Sequence, residues 1–202
     1  KAVISSAEVE KVIQPSIDRA RDLKSRPLGP RLPKRVTRSY DEESPLGNLL
    51  ADLILRTVAK ADVALMNGGG LRADLPAGEL TYGALYEAFP FDNQLTTVRL
   101  TGSDLAAVLA DNLTGKHGFL SVAGVRAKAR CSESSLTVQL TREDGRAVAA
   151  KETLLVVTND FLAAGGDDAF RSARLAKDAV NVQEGVLLRD AIAGLLGAEK
   201  NE

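Results

Sequence analysis

The run Val63-Ala64-Leu65-Met66 passes directly into Asn67-Gly68-Gly69-Gly70-Leu71-Arg72, and this junction constrains the fold more than any other stretch. Apolar residues of strand type running into consecutive glycines describe a buried strand that ends in a tight loop without side chains. Glycine permits positive φ values there and lets another group come close to the main chain. Asn67 adds an amide that donates and accepts at once. Arg72 adds a planar fork of five donors suited to phosphate or carboxylate. An Asn-Gly-Gly-Gly loop alone also serves as a plain turn, so the rest of the chain has to decide between the two.

Helices and strands alternate around this junction. Val9, Val12, Ile13, Ile17 and Ala20 predict a helix from Ser6 to about Leu23, kinked or restarted at Pro15. The proline-rich run Ser25–Pro33 reads as an extended linker, so residues 1–33 form an arm leading into a main domain over 34–202. Val36–Tyr40 is a weak strand. Ser44-Pro45 starts a helix to about Ala59, with serine as N-cap and proline in the first turn. Thr81 caps a short helix ending before Phe89-Pro90-Phe91. Thr96, Val98 and Leu100 alternate as a strand, and Thr101-Gly102-Ser103-Asp104 is a capping-box variant opening a helix along Leu105, Val108, Leu109 and Leu113. Phe119–Val125 and Leu136–Leu140 read as strands, with a turn at Glu143–Arg146. Leu154–Val157 has the length and continuous apolarity of a central strand, and Leu188, Ala191, Ile192 and Leu195 mark a closing helix. The fold class is α+β: a mixed β-sheet packed with helices.

Several function classes fall away. A net charge of -1 with no long run of one sign gives no electrostatic case for nucleic acid or a membrane surface. No apolar run approaches the roughly 20 residues of a membrane span. Cys131 is the only cysteine, which rules out an internal disulfide, and His117, the only histidine, sits in the polar run Thr114–Gly118 and reads as a solvated loop residue. A histidine-rich metal centre cannot be built from one histidine, so no residue is assigned a catalytic or metal-ligating role. The chain starts at Lys1 with no methionine and no signal-like segment, the mark of a processed product or an excised piece.

A second loop, Asn159-Asp160-Phe161-Leu162-Ala163-Ala164-Gly165-Gly166-Asp167-Asp168, leaves the end of the Leu154–Val157 strand. Loops from two strand ends can face one crevice in an open sheet. Phe91 and Phe161 both lie in polar surroundings rather than in apolar periodic runs, as stacking surfaces for a flat ligand do. Core anchoring is the competing role for each ring.

Taken together, Ser44-Pro45-Leu46-Gly47-Asn48-Leu49, Asn67–Arg72, Phe89-Pro90-Phe91 and Phe161–Asp167 resemble, in order and spacing, the C-terminal domain of the 5′-nucleotidase family. The resemblance spans about residues 35–170, with residues 1–33 standing where that family has its interdomain helix. It implies the substrate-binding half of a secreted or periplasmic hydrolase of nucleotide catabolism. A metallophosphoesterase domain on the N-terminal side would carry a divalent metal pair such as Zn, Mn or Mg, and this chain alone would be inactive. It further implies that Phe91 and Phe161 sandwich a base, Asn67 bonds base or sugar, Asp167 takes the ribose hydroxyls and Arg72 reaches the sugar-phosphate. Gly68 and Gly69 would keep the loop thin. Tyr40 stands where the family often has an arginine, with Arg38 two residues earlier as a candidate replacement. Two alternatives remain at this level: a non-catalytic nucleoside- or nucleotide-binding module, and the related sulfur-oxidising hydrolase family.

Overall fold

The computed structural model describes residues 6–132 and 135–198, so Lys1 and the outer ends of both expected domains lie outside the described residues. The strands in chain order are β1 (Pro27–Leu32), β2 (Val63–Asn67), β3 (Gly78–Thr81), β4 (Gln94–Thr101), β5 (Leu120–Ala123), β6 (Val125–Cys131), β7 (Leu136–Arg142), β8 (Thr153–Asn159) and β9 (Val180–Leu187). The helices are α1 (Ala7–Ser25), α2 (Pro45–Arg56), α3 (Tyr82–Ala88), α4 (Gly102–Thr114), α5 (Asp160–Ala163) and α6 (Leu188–Ala198). None of them is long and apolar enough to cross a membrane.

Five strands form a mixed sheet in the order β5-β2-β8-β4-β9, and β1-β3 and β6-β7 are separate two-stranded ribbons. β2 and β8 are parallel neighbours, while β4 and β5 run against them. The alternation of side chains along a strand explains why β2 is apolar at every step from Val63 to Met66. Val63 and Leu65 enter one core with Val98, Leu105, Val108, Leu154 and Val156. Ala64 and Met66 enter the opposite core with Leu46, Leu50, Ile54, Val157, Leu188 and Ile192. Thus α4 covers one face of the sheet and α2 with α6 the other.

The helix starts follow the local chemistry. Ser44 Oγ accepts from the Gly47 amide at 3.1 Å, with Pro45 in the first turn. Thr101 Oγ1 accepts from the Asp104 amide at 3.1 Å while Asp104 Oδ2 accepts from the Thr101 amide at 3.4 Å, a complete capping box. The hydrogen bond from the Thr101 hydroxyl is the main cause that holds the Asp104 carboxyl below its ordinary pKa.

Some elements differ from expectation. Helix α1 is continuous through Pro15. Proline removes one amide donor, but no residue of α1 is buried, so water can satisfy the freed carbonyl. The expected linker is extended and is also paired: β1 runs antiparallel to β3 and buries Leu28. Val36–Tyr40 makes one bridge, Val36 to Leu75, rather than a strand. The expected strand Phe119–Val125 turns a corner at Gly124, whose φ is +83° and where a Cβ would collide with the Asp62 carbonyl. Strand β9 was not anticipated.

One ion-pair network ties the β6-β7 ribbon to the main sheet. Arg142 donates from Nη1 to Asp62 Oδ1 at 2.9 Å and from Nη2 to Glu152 Oε1 at 2.6 Å, and Asp62 Oδ2 accepts from the Leu155 amide at 2.8 Å. The Arg142 hydrogen bond is the main cause that lowers the Glu152 pKa from its ordinary 4.5. A lowered folded-state pKa means the pair stabilises the fold fully above that ordinary value and loses its effect as acid protonates the folded carboxylate. Glu152→Gln is therefore expected to melt below the parent chain at pH 7, with the gap closing as the pH is taken down past 4.5. Thermal unfolding at a series of pH values checks this, and a gap independent of pH would show that the charge is not the cause.

Candidate functional site

Because β2 and β8 are parallel, Asn67 and Asn159 finish at the same end of the sheet, and β4 and β5 begin there. Four connections meet at that end: the glycine turn after β2, α5 and its sequel after β8, the Phe91–Asn93 approach to β4, and the Gly118–Phe119 approach to β5. The first three of these, with Tyr40, enclose a cavity of about 380 Å³ lined by Tyr40, Asn67, Gly69, Gly70, Arg72, Phe89, Phe91, Asn93, Asn159, Phe161 and Asp167. A larger cavity of about 640 Å³ beside the β6-β7 ribbon includes Asn48 of the first motif but none of the residues expected to contact a ligand. The strand-end cavity is therefore the one where the sequence motifs converge.

Its floor is a chain of satisfied polar groups. The Asn159 side chain caps α5 by accepting from the Leu162 amide at 2.8 Å and donates to Asn67 Oδ1 at 3.3 Å. Asn67 Nδ2 then donates to Asp167 Oδ2 at 2.9 Å. Both asparagines are buried, at 4% and 1% exposure, so these bonds avoid the cost of stranded amides. Asn67 thereby supports Asp167, with its carbonyl oxygen directed to Asn159. Asp167 has φ 53° and Asp168 φ 50°, side by side in the left-handed region, where carboxylate and amide side chains are the least disfavoured after glycine. Gly165, at φ 98°, begins this turn.

The glycines after Asn67 work by close approach. None of the three has a positive φ. They form one 3-10 turn, Gly68–Gly70. A Cβ on Gly68 would lie 2.9 Å from the Tyr40 carbonyl and 3.1 Å from that of Ser39, so Gly68 makes room for the chain and does not line the cavity. Gly69 and Gly70 do line it. The Tyr40 ring leans on this turn, 3.4 Å from a Cβ placed on Gly69, and the Tyr40 carbonyl accepts from the Phe119 amide at 2.7 Å. Arg38 does not line the cavity; its amide is held by Asp74 Oδ1 at 2.9 Å.

The walls are aromatic. Phe91 is 40% exposed and Phe161 46% exposed, so neither is a core anchor. Phe89, two residues before Phe91, is the buried anchor of that loop. The Arg72 guanidinium lies 5.2 Å above the centroid of Phe91, a cation–π contact. The Phe161 ring lies against Gly166, where a Cβ would come within 2.5 Å of ring carbons. The structure thus brings Asn67, Gly69, Arg72, Phe91, Phe161 and Asp167 to one cavity, and adds Tyr40, Gly70, Phe89, Asn93 and Asn159. Asn159 could have been found as the N-cap of α5; Asn93 gave no periodic or motif signal.

His117 is exposed, with Nε2 3.5 Å from Asp168 Oδ2. Among the described residues no group of three or more His, Cys, Asp or Glu side chains is placed to hold a metal ion.

Comparison with known proteins places this arrangement. A family model described as "5'-nucleotidase, C-terminal domain" matches residues 25–173. The chain is 36% identical over 126 residues to a protein named Endonuclease YhcR from Bacillus subtilis, covering 62% of this chain and 10% of that protein. A solved 5′-nucleotidase precursor from Thermus thermophilus superposes with a TM-score of 0.76 at 28% identity, covering 95% of this chain and 40% of the other. The sulfate thiohydrolase SoxB shares the fold at a TM-score of 0.68 and 16% identity, covering 96% of this chain and 36% of the other. The chain spans 10% to 26% of the length of the curated relatives it matches, some named 5′-nucleotidase and one named a cell wall protein.

Gly166 offers a test of how the Phe161 ring is held. An alanine there suffers no left-handed strain, but its methyl would occupy the place of the ring. Gly166→Ala is expected to leave the fold intact, changing the melting temperature by no more than about 4 °C. The Phe161 ring proton resonances should move clearly. Unmoved resonances in a folded variant would show that the ring does not rest on Gly166.

Proposed function

The chain belongs to the 5′-nucleotidase C-terminal domain family, and on that footing we propose that it is the substrate-binding part of a longer metal-dependent nucleotide hydrolase. The observation that carries this reading is the pair of half-exposed rings, Phe91 and Phe161, on a cavity whose floor is polar, with its two asparagine side chains hydrogen-bonded. Exposed aromatic walls suit the two faces of a flat base, for which stacking is worth about 1–3 kcal/mol per ring. Asp167 Oδ2 is engaged by Asn67, and Oδ1 has no hydrogen-bond partner among the described residues, so it is available to the ribose hydroxyls. Asn67 then acts as the support of that carboxylate. Arg72, steadied on Phe91, offers its guanidinium donors to the sugar-phosphate end.

In this reading the phosphoester is broken by a dimetal domain N-terminal to the chain in the parent protein. A divalent pair such as Zn, Mn or Mg supplies an activated water and charge neutralisation there. The residues of this chain contribute position: they hold base and ribose so that binding energy far from the phosphorus orients the reacting group. The parent is proposed to act outside the cytoplasm, in the periplasm or after secretion. Residues 7–25 are proposed as the interdomain helix; α1 exposes Val9, Val12, Ile13 and Ile17 along its length. The sulfur-oxidising alternative has likeness of fold alone, and two aromatic walls match a planar base better than a thiosulfonate.

Titration calorimetry of the chain with adenosine, AMP, UDP-glucose and inorganic phosphate tests the reading. Adenosine and AMP are expected to bind and phosphate alone is not. Phe91→Ala and Phe161→Ala should each weaken adenosine roughly 5- to 150-fold with melting temperatures nearly unchanged. No adenosine binding by the unaltered chain would reject the proposal.

Asp167→Asn is the sharper test of the ribose contact, because asparagine tolerates the left-handed backbone at this position. The loss expected is about 1.5–3 kcal/mol for adenosine and near zero for its 2′,3′-dideoxy analogue. Equal losses for the two ligands would assign Asp167 to the turn and not to the sugar. With AMP and added Mn²⁺, Zn²⁺ or Mg²⁺ the chain is expected to release no phosphate, and activity that stays with it through successive columns would overturn that expectation.

A further inference from the structure

Arg189, in the first turn of α6, is 3% exposed and lies beyond the residues matched by the family model. Both terminal nitrogens of its guanidinium are directed at one loop, and the rest of the group contacts α3. Nη1 donates to the carbonyl oxygens of Phe89 at 3.3 Å and Phe91 at 3.0 Å, and Nη2 donates to Asp92 Oδ1 at 2.6 Å. Nε donates to the Tyr82 hydroxyl at 3.3 Å, and the ring of Tyr86 lies 4.5 Å below the guanidinium carbon. The neighbouring Leu188 amide donates to the Asn93 carbonyl at 2.9 Å. Residues 89, 91, 92 and 93 are thus all held from the start of one helix, and three of them line the cavity.

A buried guanidinium is costly unless its donors are met, and an apolar side chain of similar size would fill the same space at less risk. Burial alone pulls the Arg189 pKa down, yet the hydrogen bonds to Asp92 and Tyr82 and their charges more than offset it, so the pKa ends above its ordinary value. What an apolar substitute could not do is fix the direction of the two carbonyls on either side of Pro90. Lysine could not do so either, lacking the planar fork. Arg189 itself does not line the cavity.

We infer that Arg189 is a positioning residue for the site, holding the Phe89–Asn93 loop so that the Phe91 ring is presented to the cavity before any ligand arrives. The inference rests on the proposed nucleoside-binding role of Phe91. It is a case of pre-organisation, in which the ordering of a contact loop is settled at folding and not during binding.

Two measurements on the 202-residue chain test it. The first is independent of ligand. Amide order parameters of Phe91, Asp92 and Asn93 are expected near the rigid value of about 0.85 in the parent chain and below about 0.6 in Arg189→Lys, while those of β8 stay unchanged. The second is a set of adenosine titrations. Arg189→Lys should weaken binding about fivefold or more in the parent chain and in the Phe161→Ala background, and less than about twofold in Phe91→Ala, where there is no ring left to position. Asp92→Ala, altered at the surface, should show the same pattern more weakly if Arg189→Lys fails to fold. Rigid loop amides in the variant, or an equal loss in the Phe91→Ala background, would overturn the inference. A parent chain that binds no adenosine would reject the proposed function instead, and the order parameters would then decide by themselves whether Arg189 holds the loop.

Discussion

The parallel pairing of β2 with β8 in the middle of a sheet covered on both faces is what the rest of the molecule depends on. Two strands with no free face are almost wholly apolar, the buried Thr158 being bonded to the Leu65 carbonyl, and side-chain amides can enter only where the strands end. They enter at Asn67 and Asn159, and parallel pairing sets those two ends side by side. From that adjacency follow the bond between the two amides, the bond from Asn67 to Asp167 and the cap on α5. An antiparallel arrangement of the same two strands would have separated the amides by the length of the sheet.

The elements legible in the sequence are those whose periodicity reports burial. Helices α2 and α4 carry apolar stripes and explicit caps, β2 and β8 contain continuous apolar runs of strand length, and β4 alternates. Strand β9 was hidden because it is an edge strand with most side chains in water, interrupted at Gly185 with φ +76°. Its polar sequence reads as loop because little in it needs burying. Strand β1 was hidden by its prolines, which a two-stranded ribbon tolerates because half of each strand's backbone donors face no partner.

The same division holds at the site. Gly69, Arg72, Phe91, Phe161 and Asp167 were legible because motif and spacing mark them, and the structure gathers them around one cavity. The role of a residue was less legible than its place. Asn67 is turned to its neighbours in the fold, and Gly68 admits the main chain of Ser39 and Tyr40. Arg189 was beyond reach of sequence reasoning, since a lone arginine in a helix of Leu188, Ile192 and Leu196 reads as its solvated side. Only the return of α6 over the Phe89–Asn93 loop makes it internal.

The cavity therefore combines two kinds of construction. Its polar floor stands on strand ends, where register leaves little freedom, and each buried amide has its partners. Its aromatic walls stand on a short helix and a proline-containing loop, elements too small to hold a ring against solvent by themselves. Each wall is accordingly braced from outside its own segment, Phe161 by the backbone of Gly166 and the Phe91 loop by Arg189 from the far end of the chain. Leaving two large rings half exposed forfeits burial worth about 1.5–3 kcal/mol for a full side chain. On the proposed reading, braces of this kind would make the exposure a property of the fold, as a surface kept ready for a flat ligand requires.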